Sequence, residues 1–379
     1  MASFAVDGLS PKHLDALLRF EKDHPSTHLG LMALRKIILL SGRCGFPSSD
    51  VAKAKSEALR RLPAYASPPI LAEVISHLAD SGFVMTGYVD REVSNCLRAI
   101  MRSPAAKPNV LAAAKLKLCD WILSFDTFVQ HREKIKQRLE ELKNGSDAES
   151  IMSVKEIEFF LPALPTDTEY QAWKSEANLL LAALSLEDPS FRIPVVRAAR
   201  FPNSVRIDLD ATAKLPTIAG LGRKRVRHRV GSLLEDFGGK LLDRTFWKLS
   251  EQRGKVVVLL FSFTSCAPCK YMDPCLQKLA QQYHEELRIL TIIQDKDLET
   301  SRAAVDNAPL SWPVVCDSEP GGLMDQWGIK SFPAVFIIDV DGRIASLNAN
   351  ANANALVEEV VSDLVEKKSQ NQTVNGSRQ

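Results

Sequence analysis

The sequence predicts an α plus α/β chain of two domains, an N-terminal all-α helical array followed by a C-terminal α/β/α sandwich. Three observations carry that expectation. Over residues 1–200, apolar residues recur at three- and four-residue spacing with hardly a strand signal. Beyond residue 230, wholly apolar runs of β-formers alternate with helical patterns, as central strands buried on both faces should. At 379 residues, the chain has the length of two or three domains.

In the first half, Leu14, Leu17, Leu18 and Phe20 lead to a break at Asp23-His24-Pro25-Ser26-Thr27. Leu31, Leu34, Ile37, Ile38 and Leu40 make a second helical face, and Ser48-Ser49-Asp50 reads as the cap of a third helix closed by Pro63. Further helices are expected over 70–78, 91–101, 110–123, 128–142 and 170–186, with short proline-rich breaks between several of them. The pattern is an array of helical hairpins without a strict repeat signature. No catalytic constellation stands in it. His13, His24, His28 and His77 lack ligand spacing, and Cys44, Cys96 and Cys119 read as small buried apolar residues. This half is the candidate docking or oligomerisation surface for a protein partner.

Residues 201–229 read as a linker. Pro202 and Pro216 interrupt helical periodicity, residues 205–210 alternate like one half-exposed strand, and Gly220-Leu221-Gly222-Arg223-Lys224-Arg225-Val226-Arg227-His228-Arg229 is strongly basic. No aromatic residue interleaves with that run, so it offers bases no stacking platform and nucleic-acid binding is not expected. The net charge of +2 gives the whole chain no pull toward nucleic acid or membrane. No uncharged apolar run reaches the length of a membrane span. The first residues show no basic segment followed by an apolar core. Seven cysteines scattered over this length form no disulfide framework. The expectation is a cytoplasmic protein with mostly reduced thiols.

Residues 230–367 are expected to form the second domain, and 368–379 a disordered polar tail. A small lead-in hairpin covers 230–246. Residues 256–262 form an apolar strand, 271–284 an amphipathic helix, and 288–293 a second strand parallel to the first by the crossover rule. Trp312-Pro313-Val314-Val315-Cys316 is a short strand-like insert. Residues 331–339 enter an apolar strand through Pro333, Asp341-Gly342 signals a hairpin, and the last helix covers 356–367.

Between the first strand and its helix lies Phe263-Thr264-Ser265-Cys266-Ala267-Pro268-Cys269-Lys270. A thiolate at a helix N-terminus meets unpaired backbone N–H groups and the positive end of the helix dipole. Such surroundings lower a cysteine pKa from about 8.5 toward 7 or below, so an attacking thiolate is present at neutral pH. Zinc binding would need a second ligand pair, and none stands at ligand spacing.

The strand order, the Cys266-Ala267-Pro268-Cys269 motif, the Trp312-Pro313 insert and the stretch from Ile329-Lys330-Ser331-Phe332-Pro333 to Ile338-Asp339-Val340-Asp341-Gly342 resemble the thioredoxin-like superfamily. Within it they are most similar to TlpA-like thiol–disulfide oxidoreductases. The resemblance covers about the last third of the chain and implies a thioredoxin-like sandwich. It implies Cys266 as the exposed nucleophile and Cys269 as the resolving thiol. Pro333 would be cis opposite the dithiol, with the Phe332 backbone placed to pair with a substrate strand. Ala267 and Pro268 would shape the motif, and Lys270 would add positive potential. The implied partners are protein thiols and disulfides, with no cofactor beyond the redox-active Cys266–Cys269 disulfide itself. The sequence departs from the family at Ser265, where a tryptophan is usual. It departs again at Leu260 and Met272, the two places of a proton-handling carboxylate, although Asp273 adjoins the second. A peroxiredoxin would need threonine and proline where Phe263 and Leu259 stand. The alternative to an enzyme is a helical adaptor whose thioredoxin-like module serves docking or redox-sensitive association.

Overall fold

The computed structural model describes residues 11–41, 49–76, 78, 90–145, 154, 157–158, 161–186, 228–295, 298–307, 310–317, 322–327, 329, 332–347 and 353–376. The strand expected over 205–210 and the basic run up to Arg227 lie outside them. The chain forms two compact units. One joins Met1–Leu123 to Pro165–Arg225, and the other joins Ser124–Leu164 to Val226–Gln379. Residues 1–200 are expected as one helical domain, whereas Ser124–Leu164 belongs with the sheet.

The helices ahead of the sheet are α1 (Pro11–Asp23), α2 (His28–Ser41), α3 (Ser49–Arg61), α4 (Leu71–Ser76), α5 (Arg91–Arg102), α6 (Pro108–Leu123), α7 (Asp126–Gln130), α8 (Arg132–Leu142) and α9 (Asp167–Ser185). In the first unit α1, α2 and α3 pack on one another, and α6 packs against α4, α5 and α9. Leu31, Leu34, Ile37 and Ile38 of α2 are wholly buried, as their spacing requires. Buried Glu21 gathers two donors. The Tyr65 hydroxyl donates to Glu21 Oε1 at 2.8 Å and Arg61 Nη1 donates to Oε2 at 2.8 Å. Burial and the adjoining carboxylate push the Tyr65 phenol up to about 12. Arg91 and Arg98 on α5 pair with Glu169 and Glu176 on α9, two helical turns apart on each helix.

The second unit is built on a five-stranded sheet in the order β5-β4-β3-β6-β7. A short antiparallel pair, β1 (Gly238–Lys240) and β2 (Phe246–Lys248), leads in. The sheet strands are β3 (Val256–Ser262), β4 (Leu287–Ile293), β5 (Val314–Cys316), β6 (Ala334–Ile338) and β7 (Ile344–Leu347). β3, β4 and β5 are parallel, while β6 is antiparallel to both β3 and β7. The accompanying helices are α10 (Ala267–Lys270), α11 (Asp273–Gln282), α12 (Leu298–Asn307), α13 (Leu323–Trp327) and α14 (Ala353–Gly376). Every residue of β3 is buried, as a strand covered on both faces demands. Val257, Leu259 and Phe261 join Trp247, Met324, Trp327 and Phe336 in one core. The alternate residues face the other way, where α11 and α14 pack on the sheet.

Both sheet edges are covered. Leu242 N donates to Val314 O at 3.0 Å on β5, and Gly231 N donates to Ile344 O at 2.7 Å on β7. Thr127 of α7 reaches the same edge, its hydroxyl 3.1 Å from Ser346 Oγ and accepting from Leu347 N at 3.4 Å. Capping an edge removes unpaired backbone groups that would template association. Further along, Arg138 of α8 meets Glu358 of α14. Helical periodicity in 128–142 fixes a buried face and not the element it is buried against.

Two element boundaries differ from expectation. The helix expected over 271–284 is present as α11, and ahead of it the single turn of α10 ends at Lys270 and is followed by a turn before Asp273. Pro274 is the reason, since it has no N–H to donate to the Lys270 carbonyl and its ring clashes with that group. At the far end, α14 runs to Gly376, through most of the segment expected to be disordered. No proline or glycine occurs between Leu356 and Asn375, and polarity alone does not end a helix.

Asp317 closes the end of β5. Its buried carboxylate accepts Leu323 N and Met324 N at 2.8 Å each, capping α13. A Cβ at Gly322 would run into that carboxylate. Gly322→Ala is expected to displace Asp317 and cost about 2 kcal/mol, the scale of leaving buried N–H groups unpaired. Chemical denaturation of the wild type and the variant checks this.

Candidate dithiol site

Cys266 and Cys269 sit just past the C-terminal end of β3 and are joined as a disulfide, with Cα atoms 5.3 Å apart. The turn is held by Cys266 N donating to Phe263 O at 3.0 Å and by Cys269 N and Lys270 N donating to Cys266 O at 3.1 and 3.2 Å. Cys269 N also points at Cys266 Sγ, 3.2 Å away. Because α10 is a single turn, little helix dipole acts here. The local N–H groups are the main electrostatic support for a Cys266 thiolate.

The register explains which residues gather around the pair. β3 and β6 pair with Phe261 opposite Ala334. Continuing that antiparallel line sets Pro333 against Ser262 and Phe332 against Phe263. The Phe263 and Phe332 rings meet edge-to-face with centroids 5.4 Å apart, and the Phe332–Pro333 peptide bond is cis. Lys270 and Ser265 are exposed, and Tyr271 is 74% exposed.

One implied role needs correcting for the oxidised form. Cys266 was expected to be an exposed nucleophile, yet it is 2% exposed and Cys269 3%. The disulfide ties Cys266 Sγ back into the turn, so it becomes a free nucleophile only on reduction. Leu260 and Met272, in the places of the usual carboxylate, are both buried apolar side chains. Asp273 is half-buried at the start of α11. Burial raises its carboxyl above the ordinary 3.8, against the pull of Lys270. The fold therefore favours the neutral acid: the carboxylate destabilises the domain at neutral pH, and that cost disappears below about pH 3.8. Asp273→Asn is expected to raise the melting temperature at pH 7, with the gain closing as the pH falls toward 4. Thermal melts of both proteins at the two pH values measure it.

Sequence reasoning missed Asp295, just past the end of β4. It accepts Thr264 N at 3.0 Å and Ser301 Oγ at 2.7 Å, and it also takes the Thr264 hydroxyl. The available signal was its place at the C-terminal end of a strand parallel to β3, where loops from adjacent parallel strands converge. Among the described residues, no group of three or more His, Cys, Asp or Glu side chains is arranged to hold a metal ion. Among the same residues, no helix is long and apolar enough to cross a membrane.

The AhpC/TSA family model matches residues 230–347. The thiol-disulfide oxidoreductase ResA of Halalkalibacterium halodurans is 30% identical over 131 residues, which are 34% of this chain and 71% of that protein. The chain belongs to the thioredoxin-like AhpC/TSA family. Membership rests on the C-terminal third, the part that carries the dithiol. The thioredoxin-like protein YneN of Bacillus subtilis is 28% identical over 129 residues, 33% of this chain and 75% of that protein. A solved thioredoxin domain of a thiol-disulfide oxidoreductase from Bacteroides vulgatus is 22% identical, with a TM-score of 0.31, and covers 35% of this chain and 97% of its own. In this family member the usual tryptophan ahead of the dithiol is Ser265.

Proposed function

We propose that the C-terminal domain is a thiol–disulfide oxidoreductase exchanging electrons with protein substrates through Cys266 and Cys269. The observation that carries this reading is the disulfide between two cysteines three residues apart, at the end of the central strand and alongside Phe332–Pro333. The names of the relatives support it.

In the reducing direction, the Cys266 thiolate attacks one sulfur of a substrate disulfide. The new S–S bond joins Cys266 to the substrate, and the substrate's other sulfur leaves as a thiolate and takes up a proton. Cys269 loses its proton and attacks Cys266 Sγ, which expels the second substrate thiolate. Two electrons have passed to the substrate, and the domain is left as the disulfide seen here. An external dithiol restores it. The opposite direction runs the same steps in reverse. With Leu260 and Met272 apolar, the proton of Cys269 has no acceptor at either usual place. That predicts a slow second step, because a buried thiol without a base deprotonates poorly.

The test is dithiothreitol-driven reduction of insulin by the full chain, together with the reduction potential of the pair. A value near −270 mV marks a reductant and one near −120 mV an oxidant. The absence of both turnover and a defined potential would remove the enzymatic reading and leave the helical adaptor, with the redox pair serving association.

A further inference from the structure

We infer that Asp295 is a positioning residue for the dithiol: its carboxylate fixes the loop that carries Cys266 and supplies the negative charge against which the Cys266 thiolate forms. This rests on the exchange reading above. Three donors converge on the one carboxylate. Thr264 gives its backbone N–H to Oδ1 at 3.0 Å and its hydroxyl to Oδ2, and Ser301 gives its hydroxyl to Oδ2 at 2.7 Å. Ser301 is wholly buried on α12, so the anchor is part of the packed domain and not a surface contact. Its single hydroxyl proton goes to Asp295, which leaves the Cys316 thiol, 3.4 Å from Ser301 Oγ, as donor to that oxygen.

Charge-assisted bonds of this kind are stronger than neutral ones and hold a loop in one geometry. Thr264 lies two residues before Cys266, so their Cα atoms are at most about 7 Å apart. Adding the 3.0 Å hydrogen bond to Thr264 N and the reach of the side chain, the carboxylate lies at most about 14 Å from Cys266 Sγ, and its partly buried position weakens screening by salt over that distance. No helix dipole of any length offsets it, because Pro274 cuts α10 short. Asp295 therefore opposes the charged, reduced form of the site while it holds the loop in place.

Two variants separate the two effects. Asp295→Asn keeps the shape and removes the charge. It should stabilise the reduced pair about fivefold, moving the reduction potential upward by about 20 mV, and should speed alkylation of Cys266 at pH 7 by a similar factor. Thr264→Val keeps the charge and loosens the loop. It should lower kcat/KM for insulin about fivefold with the potential unmoved. A merely structural role moves neither the potential nor the alkylation rate. Wild-type values for Asp295→Asn in both measurements would overturn the inference, as would wild-type kcat/KM for Thr264→Val. If Asp295→Asn does not fold, the Thr264→Val result decides alone. Failure of the exchange reading itself looks different, because the wild type would then show no turnover and no defined potential.

Discussion

Cys266→Ser is expected to abolish insulin reduction, with turnover falling about a thousandfold to the rate of dithiothreitol alone. A serine hydroxyl does not exchange with a disulfide, and the first step of the proposed cycle needs a thiolate at residue 266. Cys269→Ser gives a different defect. The first attack should still proceed with nothing to expel the substrate, so a mixed disulfide at Cys266 should accumulate. It should appear on non-reducing gels as a substrate adduct that dithiothreitol releases. Cys275 is buried and Cys316 partly buried among the free thiols, and neither lies in the turn formed by Cys266 and Cys269. Residual turnover in Cys266→Ser, or wild-type turnover without an adduct in Cys269→Ser, would defeat the assignment of roles.

Trp327→Ala is expected to be the most destabilising single change in the sheet domain. Trp327 is 6% exposed on α13, and its ring meets Phe237, Phe261 and Phe336 with centroids 5.2, 5.4 and 5.0 Å away. Removing a buried tryptophan side chain costs about 3–5 kcal/mol, combining lost transfer energy with the cavity left behind. The aromatic edge-to-face contacts disappear as well. Phe261 belongs to β3, which leads into the dithiol turn, so the loss loosens the strand on which the site is mounted. Native-state hydrogen exchange of β3 and β4 amides should accelerate by roughly two to three orders of magnitude. Trp327→Phe, which retains a ring, should lose far less. Unchanged β3 protection in Trp327→Ala would mean that the sheet does not depend on this cluster.

The part of the site that was legible in the sequence was the part written locally. Residues 256–262 read as a buried strand because a short, β-branched-rich apolar run follows a Gly254 turn and leads into Ser262. Cys266 and Cys269 followed it directly, and Asp341-Gly342 marked the turn between β6 and β7. Gly342 sits there at φ +82°, a conformation that glycine adopts at little cost. Less legible were features made by residues far apart in the chain. Its place at the end of a parallel strand marks Asp295 as near the site but does not name its partners, which lie 31 residues earlier at Thr264 and six later at Ser301. The burial of Cys266 at 2% exposure is another such feature, set by what packs around the turn. The end of α10 at Lys270 follows from Pro274, which has no N–H to give the carbonyl four residues back.

Taken alone, the amino-acid sequence determined the composition of the layers, the apolar strands and the position of the dithiol at a strand end. These follow from periodicity and from local backbone chemistry, which short stretches carry by themselves. Only the tertiary structure decided that α7 and α8 belong with the sheet, that Phe332 faces Phe263, and that one carboxylate gathers Thr264 and Ser301. The reason is physical: a buried face states that it must be covered and not by what, and a carboxylate states that it accepts hydrogen bonds and not from whom. Strand register and packing supply the partner.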